Sequence, residues 1–263
     1  MTSRLSFNSM TADRCSLPEV TEACAAHGIE WIGPWRHKVA EIGVDEAARR
    51  IADAGLRVSS LCRGGFFAAD GADEDNRRAV EEAAALGTDA LVLVCGPPAT
   101  KDLPLARAEI ERGIERLLPF AAEHGVRLGI EPLHPMMLGE RSAIVTLGEA
   151  LDIAERIGDP GVGVVIDVYH TFWDPRLAQE IARAAGRIVG YHVNDWLRET
   201  SHTLLERGMM GDGIIDLHGF SAMIEAAGYG GPIEVEILNP AIWEMPLSEL
   251  VPLTVDRFER YVL

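Results

Sequence analysis

Short apolar runs alternate with longer amphipathic segments from one end of this 263-residue chain to the other, and few folds accommodate that rhythm. Extended runs are expected at residues 4–10, 29–32, 56–62, 90–95, 126–130, 162–166, 188–193 and 233–238. Helical periodicity is expected at 17–27, 44–54, 73–86, 105–124, 146–157, 176–185, 217–227 and 247–261. Seven of these helices run straight into a glycine (Gly28, Gly55, Gly87, Gly125, Gly158, Gly186, Gly228), which supplies the left-handed residue that closes a helix. The run Ala90-Leu91-Val92-Leu93-Val94-Cys95 is apolar throughout, as in a strand covered on both faces. Eight strand-then-helix units of roughly 33 residues each fit a (β/α)8 TIM barrel. No linker or composition break divides the chain, so one domain over residues 1–263 is expected. An open doubly wound sheet would favour a glycine-rich phosphate loop after the first strand, and Asn8-Ser9-Met10-Thr11 is not one.

Charge narrows the function. Lys and Arg number 24 against 41 Asp and Glu, a formal charge of −17. Nucleic-acid and anionic-membrane binding both draw on clustered cations, so neither partner is expected. No apolar run approaches the roughly 20 residues that span a bilayer. Residues 1–10 lack the basic-then-apolar layout of a signal peptide. Cys15, Cys24, Cys62 and Cys95 form neither a C-x-x-C pair nor a zinc-finger spacing. Free thiols in a reducing, cytoplasmic setting are the reading, with none of the four a nucleophile.

In a barrel of this kind chemistry sits where strands end. Four consecutive runs of the second half end on a ligand-type residue. Leu128-Gly129-Ile130 runs into Glu131, and Val164-Val165-Ile166 into Asp167, with His170 three residues on. Val189-Gly190-Tyr191 runs into His192, with Asp195 three residues on, and the last run reaches Glu236. Four acceptor side chains converging on one mouth would repel without a cation or protons to offset them. Three carboxylates and an imidazole, with no thiolate, suit one divalent ion: Mn²⁺ first, with Mg²⁺ or Co²⁺ as alternatives. Glu234 shares a face with Glu236. It is read as the deeper group, paired with a basic partner, because the other three ligands also lie late in their runs.

These residues resemble a known family. LGIEPLHP (128–135), VVIDVYHTFWDP (164–175), YHVND (191–195), GMMGDGIIDL (208–217) and IEVEIL (233–238) are similar to motifs of xylose isomerase-like TIM barrels of the sugar phosphate isomerase/epimerase type. The nearest branch is that of the inosose isomerases, inosose dehydratases and ketose 3-epimerases. The resemblance covers essentially the whole chain. It implies a metal, commonly Mn²⁺, on Glu131, Asp167, His192 and Glu236, with Glu131 and Glu236 also the acid/base pair. It implies that His170 contacts substrate oxygens. Arg198, six positions after His192, matches the family's basic residue by spacing. His134, Pro135 and Trp173 depart from the ketose-epimerase pattern and point to a differently shaped substrate pocket. No phosphate cradle is evident. By analogy alone, homo-oligomers are common in this family.

The resulting expectation is a metal-dependent isomerase or epimerase of a small keto-sugar or cyclitol. One carboxylate would remove a proton beside a carbonyl, the enediolate would be stabilised by the ion, and the other carboxylate would return a proton. A dehydratase or lyase using the same site is the alternative. An abasic-site endonuclease needs a basic DNA face, which −17 opposes. A sugar-binding subunit without catalysis would bind but not exchange protons. Trp35 with Arg36 and His37, and Arg63 with Phe66 and Phe67, are expected on the substrate side, where rings cover C–H faces and polar groups meet hydroxyls. Arg141 and Trp196 are further candidates. Residues 208–213 read either as a mobile loop at the mouth or as a turn around Gly211-Asp212-Gly213. The acidic stretch 70–82 reads as a solvated helix start.

Overall fold

The computed structural model describes residues 3–263, so Met1 and Thr2 of the stretch examined for a leader lie outside it. The first half runs β1 (Leu5–Asn8), α1 (Leu17–Ala26), β2 (Trp31–Gly33), α2 (Arg36–Ala40), α3 (Val44–Asp53), β3 (Arg57–Val58), β4 (Leu61–Gly65), α4 (Ala72–Ala85), β5 (Ala90–Val94) and α5 (Leu103–Glu123). The second runs β6 (Arg127–Ile130), α6 (Leu147–Ile157), β7 (Val162–Asp167), α7 (Val168–Thr171), α8 (Leu177–Arg183), β8 (Ile188–Val193), β9 (Asp195–Trp196), β10 (Arg207–Gly208), α9 (Leu217–Ala226), β11 (Ile233–Val235), α10 (Pro240–Trp243) and α11 (Leu247–Tyr261). The seven helix-closing glycines all take positive φ, between 69° and 87°.

Nine parallel strands form one sheet in the order β3-β2-β1-β11-β8-β7-β6-β5-β4. The chain is a single-domain (β/α)8 TIM barrel with a nearly closed sheet. The third stave, read as one run over 56–62, is two strands because Ser59 and Ser60 interrupt it. Their hydroxyls both donate to Glu234 Oε2, at 2.7 and 2.9 Å, across the barrel interior. A parallel bridge between Trp35 and Cys62 carries the wall past the break.

Most of the core lies between the sheet and the helices. It includes Leu5, Phe7, Leu91, Leu93, Leu128, Val164 and Tyr191. A smaller cluster fills the barrel: Cys62, Ala90, Val92, Val165 and Val189. That dry floor sits under the polar mouth. Above it the register levels Asp167 with His192 and His192 with Glu234. Side chains alternate along a strand, so Glu236 points inward like Glu234, one layer higher. Among the described residues no helix is long and apolar enough to cross a membrane.

Candidate metal centre

Glu131, Asp167, His192 and Glu236 each place one ligand atom within 4.8 Å of the other three, and all four side chains are buried. Each comes from the end of its own strand path. The backbone N–H of Glu131 donates to Leu93 and that of Glu236 to Val193, so both extend the ladder by one residue. Asp167 also caps α7, accepting from Tyr169 N at 2.8 Å.

The residues present fit a divalent cation. His192 Nδ1 lies 3.7 Å from Glu131 Oε1 and 4.0 Å from Glu236 Oε2, too far for hydrogen bonds. His192 Nδ1 and Glu131 Oε1 are buried with no hydrogen-bond partner. Buried polar atoms are nearly always paired, so unpaired acceptors around a shared centre mark a place for an ion.

The electrostatics follow from the dry floor. Burial, helped by the charges of Glu236 and Asp167, pushes the Glu131 carboxyl up to about 8 even though His192 and Arg207 pull it down. Asp167 is raised by burial as well, against the pull of Arg207. Burial opposes protonation of His192, yet Glu234, Glu236, Glu131 and Asp167 together raise it. His170 is held well below the usual imidazole range by burial, then by the guanidinium of Arg207.

Glu234 lies beneath the cluster. Asn8 Nδ2 donates to its Oε1 at 2.6 Å, Ser59 and Ser60 donate to Oε2, and Oε2 faces His192 Nε2 at 3.8 Å. Its hydrogen-bond donors are neutral amide and hydroxyl groups, and the basic group that faces it is His192. Room for this carboxylate exists because residue 33 is glycine: a Cβ there would overlap Glu234 Oε1. Gly33→Ala should therefore displace Glu234 and the negative charge it sets 3.8 Å from His192 Nε2. The expected result is a fall in divalent-metal affinity of about 10-fold or more, by calorimetry. Unchanged affinity would show that the Glu234 charge does not support the ligand.

The guanidinium among the carboxylates belongs to Arg207. Its Nη1 donates to Asp167 Oδ2 at 2.8 Å and to Glu236 Oε2 at 2.9 Å, while Nη2 lies 3.2 Å from His170 Nε2. Arg198, chosen by spacing, is exposed. The antiparallel pairing of β9 with β10 folds Arg207 back over the mouth. Residues 208–213 form a turn fastened to Asp195, whose carboxylate accepts from Gly211 N, Gly213 N and Ile215 N. These hydrogen bonds are those of the turn around Gly211-Asp212-Gly213, one of the two readings of the segment.

Other candidates divide into those at the cavity and those behind it. Trp35 Nε1 donates to Glu236 Oε1 at 3.0 Å, and Asn8 Nδ2 reaches the same oxygen at 3.1 Å. His170 and Arg141 line a small cavity of about 20 Å³ beside Glu131 and Glu236. Arg63 lines a neighbouring cavity that shares Trp35 and Cys62 with the first. Trp173 stands behind His170, donating to its carbonyl at 2.8 Å. His134 donates its backbone N–H to His170 Nδ1 at 3.2 Å, and its ring packs on Trp196 and Trp173. Arg207, Asn8 and Asn194, which donates to Asp167 Oδ1 at 3.1 Å, were missed from sequence. Asn8 ends the first strand, and the strand-end rule applied there would have found it.

A buried set of three carboxylates and one imidazole at the C-terminal rim of a (β/α)8 barrel defines a class of small-molecule enzymes. The chain belongs to the xylose isomerase-like TIM barrel family, whose pattern it matches over residues 21–254. It is similar to a 3-dehydroshikimate dehydratase of Pseudomonas aeruginosa PAO1, 28% identical over 252 residues covering 88% of this chain. The chain spans 37% of that relative's length. It is also similar to an inosose isomerase of Bacillus velezensis FZB42, at 22% identity over 98% of this chain and 97% of that one. Among solved structures, protein SMc04130 of Sinorhizobium meliloti 1021 superposes with a TM-score of 0.95 at 47% identity, covering 99% of both chains. The IOLI protein, solved with a bound zinc atom, shares the fold at a TM-score of 0.85 and 20% identity, over 98% of each chain.

Proposed function

We propose that the protein is a divalent-metal-dependent isomerase or epimerase of a small keto-sugar or cyclitol. The observation that carries this reading is the convergence of four buried ligand atoms on one centre, with Glu131 Oε1 and His192 Nδ1 otherwise unpartnered. Glu131, Asp167, His192 and Glu236 would hold the ion. When bound, it supplies positive charge where an enediolate develops. Mn²⁺ is the proposed metal, from the oxygen-rich donor set.

The rest of the chemistry belongs to the chain. Glu131 and Glu236 stand on strand paths separated by those of Asp167 and His192, so they approach a substrate from different sides. One carboxylate takes the proton from carbon beside the carbonyl and the other returns one. Return to the opposite face of that carbon is epimerisation, and return to the next carbon is isomerisation. His170, whose Nδ1 accepts from His134 N–H, would meet a substrate oxygen through Nε2 beside Arg207, Trp35 holds Glu236 in place, and the apolar floor excludes water from below. The four cysteines are free, in keeping with the proposed cytoplasmic setting.

The test is a titration with Mn²⁺, Co²⁺, Mg²⁺ and Zn²⁺, followed by NMR of keto-sugars and inososes with the loaded protein in D₂O. Deuterium at a single substrate carbon, with isomer or epimer formed, is the expected result. No metal binding, or sugar binding without exchange, would refute the reading. A product one water lighter would replace isomerase by dehydratase.

A further inference from the structure

Two arginines at the mouth of the site have no carboxylate partner in a chain whose acidic residues outnumber its basic ones by 41 to 24. Arg141 lines the cavity beside Glu131 and His170, and its Nε is buried without a hydrogen-bond partner. Arg63, half-buried in the neighbouring cavity, makes one side-chain contact of note: its guanidinium lies 4.0 Å over the ring of Phe66. Neither enters an ion pair among the described residues. Arg36, one wall away, shows what pairing looks like here, with Asp75 at 2.9 Å and Glu82 at 2.5 Å. Those two carboxylates are hydrogen-bonded to Arg36; they outnumber it by one charge, and Asp75 also lines the cavity of Arg63 without forming an ion pair with it.

The loops that carry the two arginines meet at one residue. Gly96 N donates to Arg141 O at 3.0 Å, and a Cβ on Gly96 would meet the Cα of Phe66. The loops after β4 and β6 thus pack on either side of Gly96. The charges are close enough to repel: burial first, and then Arg141 among its neighbours, lowers the proton affinity of Arg63. Holding two unpaired cations in a partly dry cleft costs free energy, which function explains better than stability does.

Unmet hydrogen bonding indicates what belongs there. With a divalent ion bound, Glu131, Asp167 and Glu236 are balanced by the ion and Arg207. Glu234 below and the excess carboxylate of the Arg36 group offset the charges of Arg63 and Arg141 at a distance, but neither guanidinium has a carboxylate within ion-pair range among the described residues, and Arg141 Nε is buried without an acceptor. We propose that the substrate carries a carboxylate, received by the guanidinium groups of Arg63 and Arg141. The planar fork of a guanidinium matches a carboxylate in two hydrogen bonds, which a hydroxyl cannot reproduce. The inference rests on the metal-dependent reading above and narrows it, from neutral sugars and cyclitols to their acids.

Calorimetry on the Mn²⁺-saturated protein and on the metal-free protein tests it with matched pairs differing in one carboxylate. The pairs are quinate and its neutral carboxamide, gluconate and sorbitol, and glycolate and ethylene glycol. In either metal state, at least one acid should bind about tenfold or more tightly than its neutral mate. Arg63→Gln and Arg141→Gln should each remove most of that preference, leave Mn²⁺ affinity unchanged, and not lower Tm, since each relieves a repulsion. Equal affinity within all three pairs in both states, or a preference that survives both substitutions, would overturn the inference. Mn²⁺ binding with no acid preference sinks this inference alone. Acid preference without any metal binding supports it and sinks the metal-dependent reading instead.

Discussion

Glu236→Gln is expected to lower deuterium exchange at the substrate carbon by about 10³-fold, the range of a lost general acid or base. The substitution keeps the shape and removes the charge and the basicity. It also leaves a mark on stability. Glu236 Oε1 accepts from Trp35 and Asn8, and Oε2 accepts from Arg207. Whichever oxygen the amide nitrogen replaces, it faces a donor. One such mismatch in a buried site costs about 1–3 kcal/mol, so Tm should fall by several degrees while the barrel still folds. Circular dichroism separates the two effects, because exchange falls far more than a small loss of stability can explain. Glu234→Gln is the control. Glu234 sits one layer deeper, and its loss should weaken metal binding more than proton transfer. If Glu236→Gln kept full exchange and Glu234→Gln abolished it, the roles of the two carboxylates would be exchanged.

The strand ends were the legible part of this site. Glu131, Asp167, His192 and Glu236 each stop an apolar run, and the parallel register then sets them side by side. The helices and their glycine caps were legible because both are local signals. What the sequence concealed depends on contacts between distant segments. Arg207 reaches Asp167 and Glu236 only because β10 pairs antiparallel with β9, and no count forward from His192 reveals that pairing. Ser59 and Ser60 looked like the interior of one strand, but Glu234, on the other side of the barrel, draws their hydroxyls inward and splits it. The sequence reads the last strand through residue 238, yet the strand ends at Val235 and its ladder one residue later, at Glu236. The chain beyond it turns to serve Thr11, whose Oγ1 accepts from Ile237 N. Short polar residues are ambiguous in sequence because their role is fixed by the partner they meet.

Metal-free protein is expected to lose stability as pH rises from about 6.5 to 8, and saturating Mn²⁺ is expected to abolish that loss. In the folded, metal-free protein burial keeps the Glu131 carboxyl protonated up to about 8. In the unfolded chain the same group ionises near the ordinary value of about 4.3. The folded state therefore binds more protons across this interval, and unfolding becomes easier as pH rises. Asp167 and His192, both raised, act with the same sign. His170 acts oppositely: its lowered affinity contributes stability above about pH 6.5 that is lost on acidification, so below that point the trends compete and above it they do not. The buried thiols Cys24, Cys62 and Cys95, all raised, add the same sign as Glu131 only near about pH 8.5. An ion requires its ligands deprotonated, so binding releases the retained protons and removes their slope. At about a thousandfold excess over Kd it also adds about 4 kcal/mol, or roughly 10 °C in Tm. Thermal unfolding at several pH values, with chelator and with Mn²⁺, measures both effects. A metal-free Tm that stays level or climbs between about pH 6.5 and 8 would mean that the four side chains are not crowded in the dry barrel mouth, and an absent Mn²⁺ shift would mean that they hold no ion there.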